Sequence, residues 1–282
     1  MCLHNADERS NLGNSGPNIR NLVQSTNLEL SFIYNWIISN YLSANSTKLI
    51  HLLFSPDSHE YLYELKLGNS VIPRAQHTKL LGVILDDKFK WNHHTIYVAN
   101  RLSKLNGVLY LCRNRISSKA LKTIYNALAY SHISYCITIW GGTWKKFINQ
   151  VIIAQKRIVR TLAYATRYER SAPLFIRNRI LSFQYVYTYF SALAIHKFIY
   201  LGYCLGIFQR NHALRELRFN MNTVNIPLFR TTRGQQSIYY RAPQIWNNLS
   251  NDLRSRSNIV TFKRSLKFYL HNSQIQDVNE NL

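Results

Sequence analysis

The spacing of hydrophobic positions changes character near residue 90. Between residues 26 and 42, Leu28, Phe32, Ile33, Trp36, Ile37 and Tyr41 recur at intervals of three and four, which predicts an amphipathic helix. Residues 49–54 (LIHLLF) are a short apolar run that reads as a strand. Residues 61–67 and 69–72 read as a hairpin divided at Gly68-Asn69, and residues 80–85 (LLGVIL) as one buried strand ending at Asp86-Asp87. A helix followed by several strands is an α+β arrangement.

Beyond that point the pattern is helical. After Asn92, read as an N-cap, Val98, Leu102, Leu105, Leu109 and Cys112 follow a 4-3-4-3 spacing. Ser117 or Ser118 caps a second helix with Leu121, Ile124, Tyr125 and Leu128 on one face. A third runs from about 144 to 164. A fourth, at about 182–200, carries Phe183, Tyr185, Tyr187, Tyr189, Phe190 and Phe198, a crowding that fits a packed core better than base stacking. Gly202, Gly206 and the polar run near 209–225 mark a loop or hinge. Residues 226–282 form a terminal unit closed by a helix at 261–270 with Phe262, Leu266 and Tyr269 inward, and nothing after 271 carries an ordering pattern.

Two stretches, Thr123–Trp144 and Ile180–His196, lack formal charge. The first holds Asn126, His132, Thr138 and Gly141-Gly142, and the second is only about five turns long with Ser182, Gln184, Thr188 and Ser191. Each polar group is costly in hydrocarbon, so both read as buried core and no membrane contact is expected.

The third helix is the most informative. Setting Lys145 at zero on a wheel of about 100° per residue, Lys146, Lys156, Arg157 and Arg160 fall between roughly 0° and 120°. Ile148, Val151, Ile152, Ile158, Val159 and Leu162 fall between roughly 220° and 340° by the same geometry. No Asp or Glu intersperses the cations, as it would on a helix face laced with i,i+4 ion pairs. This face is expected to contact phosphates.

Charge sharpens the division. Residues 1–87 contain six of the 35 Lys and Arg and eight of the 13 Asp and Glu, leaving 29 bases against five acids in the remainder. A surplus of that size repels itself and is normally matched by a polyanion. Nucleic acid is the leading partner; an anionic membrane surface comes second, because the bases spread over some 180 residues and form no short polybasic block. Cys2, Cys112, Cys136 and Cys204 lie far apart without a C-x-x-C pair, which argues for reduced intracellular thiols, with nucleus or cytoplasm left open.

Catalytic signatures are scarce. There is no nucleophile elbow, HExxH or Walker loop. Two-metal phosphoryl transfer needs converging carboxylates, and the adjacent acid pairs are Asp7-Glu8 and Asp86-Asp87. The second, at a strand end, reads as a turn cap.

The order of short motifs nevertheless resembles the back half of a reverse transcriptase from a non-LTR retrotransposon of the jockey-like LINE group. The residues that carry the resemblance are Asn5-Ala6-Asp7-Glu8-Arg9 at the catalytic turn, Trp36, Asn45-Ser46-Thr47-Lys48-Leu49, Phe54, and Leu81-Gly82-Val83-Ile84-Leu85-Asp86. Residues 104–143 are similar to the family's thumb region, and Arg241-Ala242-Pro243-Gln244-Ile245-Trp246-Asn247-Asn248-Leu249 to the box that closes many of these reading frames. The resemblance implies that Asp7 stands at the first catalytic Asp, a ligand of Mg²⁺, with Glu8 in place of the second. It implies that Lys48 assists pyrophosphate departure, that Leu81 and Gly82 lie at the primer grip, and that the partner is an RNA and DNA template–primer duplex.

The catalytic turn departs from the family pattern at Asn5, Glu8 and Arg9, and the chain starts at Met1 almost without the strand that would precede it. By the resemblance, the upstream metal-binding motif, the fingers and the family's endonuclease are expected to be missing. The expectation is an α+β chain in three parts: 1–87 as a palm remnant, 88–205 as a helical thumb-like region, and 206–282 as a basic, aromatic C-terminal segment. Lys145, Lys146, Lys156, Arg157, Arg160 and Arg241 are the expected nucleic-acid contacts. Binding is expected without catalysis. The alternatives are an active polymerase, if upstream sequence supplies the missing motifs, and a pseudogene translation with no selected function.

Overall fold

The structure, a computed structural model, describes residues 13–16, 18–54, 63–203, 208 and 222–280. It is α+β, with two small antiparallel hairpins followed by a long helical region. The chain divides into two compact units, Met1–His94 and Thr95–Leu282.

In the first unit, α1 (Ile19–Ser39) starts at Asn18, whose side chain accepts the Arg20 N–H. The helix begins earlier than the apolar spacing predicts. It packs on β1 (Leu65–Leu67), which pairs with β2 (Ser70–Ile72) through the expected turn at Gly68-Asn69. Gly68 is needed twice over: its φ is +57°, and a Cβ there would come within 2.6 Å of the Tyr34 ring. Leu30, Leu49, Leu65, Leu67 and Ile72 form the core, with Ile33 and Tyr34 packed on it. Asn27 fixes α1 to the strand edge, donating to the Glu64 carbonyl and accepting the Lys66 N–H.

Two strand expectations are corrected here. Residues 49–54 make a single bridge, His51 to Arg74, and no continuing ladder. The run LLGVIL is not one strand. It is split by a turn between β3 (His77–Leu80) and β4 (Val83–Asp86), with Leu81 at φ +46° and Gly82 at φ +85°. Two left-handed residues in a two-residue loop match the twist of antiparallel strands. At the end of β4 the Asp86 carboxylate accepts the N–H groups of Lys88, Lys90 and Trp91, the last at 2.7 Å. It holds the turn that leads into α2 (Asn92–Cys112).

The second unit is built around α8 (Phe183–Leu201), which buries residues on every side. Against it pack α4 (Ser131–Ser134), α5 (Ile137–Trp140), α6 (Lys145–Leu162), α10 (Ile238–Asn247) and α12 (Ile259–Glu280). Residues on both sides of position 205 therefore share one core. The smaller helices are α3 (Ser118–Ile124), α7 (Ser171–Arg177), α9 (Thr232–Gln236) and α11 (Asn251–Arg254). Ser117 caps α3 by accepting the Ala120 N–H.

Between α3 and α4, Tyr125–Tyr130 is π-helical. The wider turn rotates Ala129 into the core and leaves Leu128 exposed, against the expectation of a regular helix face. Likewise α12 places Leu270, not Tyr269, inward, and it continues to Glu280 where no order was expected. Among the described residues no helix is long and apolar enough to cross a membrane.

Candidate nucleic-acid interface

The helix α6 has two unlike faces because its sequence does. Ile148, Val151, Ala154, Ile158, Val159 and Leu162 are buried, and burial of that stripe fixes the rotation of the helix. Lys145, Lys146, Lys156 and Arg157 are consequently exposed, with Ile153 among them. Lys146 Nζ lies 4.8 Å from the Phe147 ring centre. Arg160 differs from the other four: it is half-buried, and its Nε donates to the Glu169 carbonyl at 2.9 Å.

One polar residue on the buried face holds the helix in place. Gln155 is fully buried; its amide donates to the Tyr125 hydroxyl and the Leu181 carbonyl, and its oxygen accepts the Phe183 N–H. Gln274 on α12 does the same from another direction, donating to the Ile180 carbonyl and accepting the Ser182 N–H. The link 180–183 between α7 and α8 has these two side chains where a strand would have neighbours. The sequence signal was present: on the same wheel Gln155 falls at roughly 280°, inside the apolar arc.

Arg241, 96 positions from Lys145, lines the same cleft. The cleft, about 360 Å³, opens where α6 begins and is walled by α8 and α10. Arg241 is exposed on α10 while its neighbours Ala242, Pro243 and Trp246 are buried. The box from Arg241 to Leu249 is thus mainly a packing element that carries one outward cation.

A second cationic group had no signal in the sequence. Burial, then the charges of Arg179 and Lys267, push the Lys122 ammonium down from its ordinary value. His271 is lowered by burial and then by Lys267, Lys122 and Arg179. These four come from α3, the residues after α7, and α12. Among the described residues none of the four is paired with a carboxylate.

In the first unit, Lys48 is exposed at the end of a 3₁₀ turn whose Asn45 side chain accepts from Thr47. Leu81, 63% exposed, and Gly82 form the tip of the β3–β4 turn. Asp7 and Glu8 lie outside the described residues. Among the described residues no three His, Cys, Asp or Glu side chains are grouped to hold a metal ion. Asp86 is occupied on both oxygens by backbone N–H groups.

Compared with known proteins, the chain is similar to the RNA-directed DNA polymerase from mobile element jockey of Drosophila funebris. The two are 23% identical over 146 residues, which is 50% of this chain and 16% of that protein. The chain is thereby related to reverse transcriptases, distantly and over half its length. No family model matches. No solved structure matches either.

Proposed function

We propose that this chain is part of a reverse-transcriptase-like protein of a mobile element, whose helical unit binds an RNA and DNA template–primer duplex without polymerising on its own. Residues 1–87 correspond in this reading to the end of a palm, 88–205 to a thumb and 206–282 to a terminal segment. The distant similarity to a polymerase that copies RNA into DNA supplies the substrate class. The observation that carries the binding function is the row Lys145, Lys146, Lys156 and Arg157, exposed on a helix that contains no acid. Phosphates neutralise such a row, and the release of condensed counterions drives association. In this reading Leu81 and Gly82, at the tip of the β3–β4 turn, touch the primer strand, which the exposure of Leu81 supports. Lys48 would stand near the triphosphate. The described residues do not fit a magnesium pair, so no step of this reading passes through one.

The test is binding of the whole chain to an RNA–DNA hybrid at several salt concentrations, followed by anisotropy. Lys156→Ala with Arg157→Ala should reduce the log–log salt slope by about 2, because each phosphate contact contributes about 0.9. An unchanged slope would remove α6 from the interface. In a primer-extension assay with Mg²⁺ and dNTPs no product is expected, and extension that Asp7→Ala abolishes would overturn the loss of catalysis.

A further inference from the structure

We propose that Lys122, Arg179, Lys267 and His271 form a second phosphate site in the helical unit, on the far side of α6 from its cationic row, and that it takes the backbone of a single strand continuing from the bound duplex. That the phosphate belongs to a nucleic acid rests on the reading above. The site itself rests on how the fold gathers these four side chains.

Hydrogen bonds bring the four together at the link 180–183. Gln274 on α12 donates to the Ile180 carbonyl, which sets the residue before it, Arg179, alongside α12. With Gln274 at zero on a wheel, Lys267 falls at roughly 20° and His271 at roughly 60°, on one side of that contact. From α6, Gln155 donates to both the Leu181 carbonyl and the Tyr125 hydroxyl, so the end of α3 meets the same link, and Lys122 lies one turn before Tyr125. Each charge is felt by the others: burial, then Arg179 and Lys267, lower the Lys122 ammonium, and burial, then Lys267, Lys122 and Arg179, lower His271. Lys122 and His271 are half-buried while Arg179 and Lys267 are exposed, so a ligand can reach the group from solvent. The acids of α12 sit elsewhere on the wheel. Asp277, at roughly 300°, is on the other side of Gln274 and accepts the Tyr185 hydroxyl; Glu280 falls at roughly 240°. Ammonium, guanidinium and imidazole N–H groups all donate, and a phosphate offers several charged oxygens to accept from them.

The backbone of Arg179 is a second, independent observation. Its φ is +51°, the left-handed position past a helix end that favours glycine. The Arg179 N–H donates to the Ile176 carbonyl and the Ile180 N–H to the Phe175 carbonyl, so main chain alone closes α7 and the guanidinium is not needed for it. A cation held there adds strain to repulsion, and a bound anion offsets the repulsion. The geometry also separates this site from the row on α6. Gln155 falls at roughly 280° on the α6 wheel and the row between roughly 0° and 120°, so the link lies behind the helix. A duplex, with a persistence length of about 50 nm, does not bend round a helix about 10 Å across, whereas a single strand does. Side chains that converge from three elements make a point contact, which suits a flexible strand better than the regular rows of a duplex.

The whole chain is titrated with a blunt RNA–DNA hybrid and with the same hybrid carrying, at either end, a single-stranded extension of about twelve nucleotides. The extension is expected to tighten binding about tenfold. Arg179→Gly, whose backbone suits the native φ, should leave the thermal transition no lower and cut that gain to about twofold. Lys267→Gln, at an exposed position, should cut it likewise, and neither change should alter binding of the blunt hybrid. Lys156→Ala with Arg157→Ala should weaken both hybrids by the same factor and keep the gain. An extension with neutral methylphosphonate linkages should add nothing, which separates phosphate contact from base contact. No gain from the extension in the unaltered chain, a full gain in folded Arg179→Gly and Lys267→Gln proteins, or an equal gain from the methylphosphonate strand overturns the proposal. Micromolar binding of inorganic pyrophosphate that Lys267→Gln abolishes would assign the group to a free polyphosphate and overturn the strand. If the Lys156 and Arg157 change leaves the blunt hybrid unaffected, the α6 reading fails by itself; if only the extension is without effect, that reading stands.

Discussion

His94 shows how one side chain ties a local contact to the solution pH. It is buried at the start of α2, and its Nδ1 accepts the Ile84 N–H from β4 at 3.3 Å. Acceptance requires a neutral ring, and burial lowers its pKa from 6.5 to about 4. The unfolded chain therefore takes up a proton before the folded one does. The stability His94 confers is complete above pH 6.5 and is lost as the pH falls toward 4, by up to about 3 kcal/mol. Urea unfolding at pH 7 and pH 5 should show this loss, and His94→Gln should lose less than the unaltered chain between the same two values. An equal loss in both would assign the pH dependence to other groups, among which His51, His196 and His271 are also lowered by burial. None of this is legible in the spacing of residues 92–112. His94 stands among polar neighbours, and its burial depends on a strand ending eight residues earlier.

At the scale of elements, the legible parts are those whose inner and outer faces differ in polarity. The rotation of α6 followed from its wheel, and the β1–β2 turn from Gly68-Asn69, because each is decided within a few residues. Where the buried face is itself polar, the periodicity disappears. The last turns of α12 continue the inward series Phe262, Leu266 and Leu270 with Gln274, and a stripe of that kind reads as disorder. The split of LLGVIL was hidden in the opposite way, by apolar residues on both sides of a turn, with Gly82 as the one local signal. The two buried glutamines yield a prediction at this scale. Gln155→Leu leaves the Phe183 N–H, the Leu181 carbonyl and the Tyr125 hydroxyl without a partner, and should cost about 2–4 kcal/mol. Gln274→Leu strands two groups on the same link and should cost less. Because both hold residues 180–183, their costs in urea should deviate from additivity by more than about 0.5 kcal/mol. Strict additivity would mean that the link is rigid without them.

Across the whole molecule, charge is the property that separates the two units. Most of the 29 bases beyond residue 87 lie in the second unit, and the grouping of Lys122, Arg179, Lys267 and His271 shows where their repulsion concentrates. This arrangement joins cations from three elements, and only the tertiary fold makes it visible. A unit that carries so much like charge gains stability when a polyanion binds, since the ligand favours the folded state over the unfolded one by mass action. A duplex at 100 times its Kd should stabilise the second unit by about 2.7 kcal/mol, a rise in Tm of roughly 3 °C for a unit of this size. The first unit, Met1–His94, holds eight bases against eight acids and should respond less, away from the β3–β4 turn. Hydrogen exchange can follow both at once. Amides of Val151 to Val159 in α6 should gain protection when RNA–DNA duplex is added, while those of Leu65 to Ile72 in the β1–β2 hairpin stay as they were. Raising the salt concentration should remove the gain. Equal protection in the two units, or a gain that persists at high salt, would show that the charge surplus is not what nucleic acid relieves.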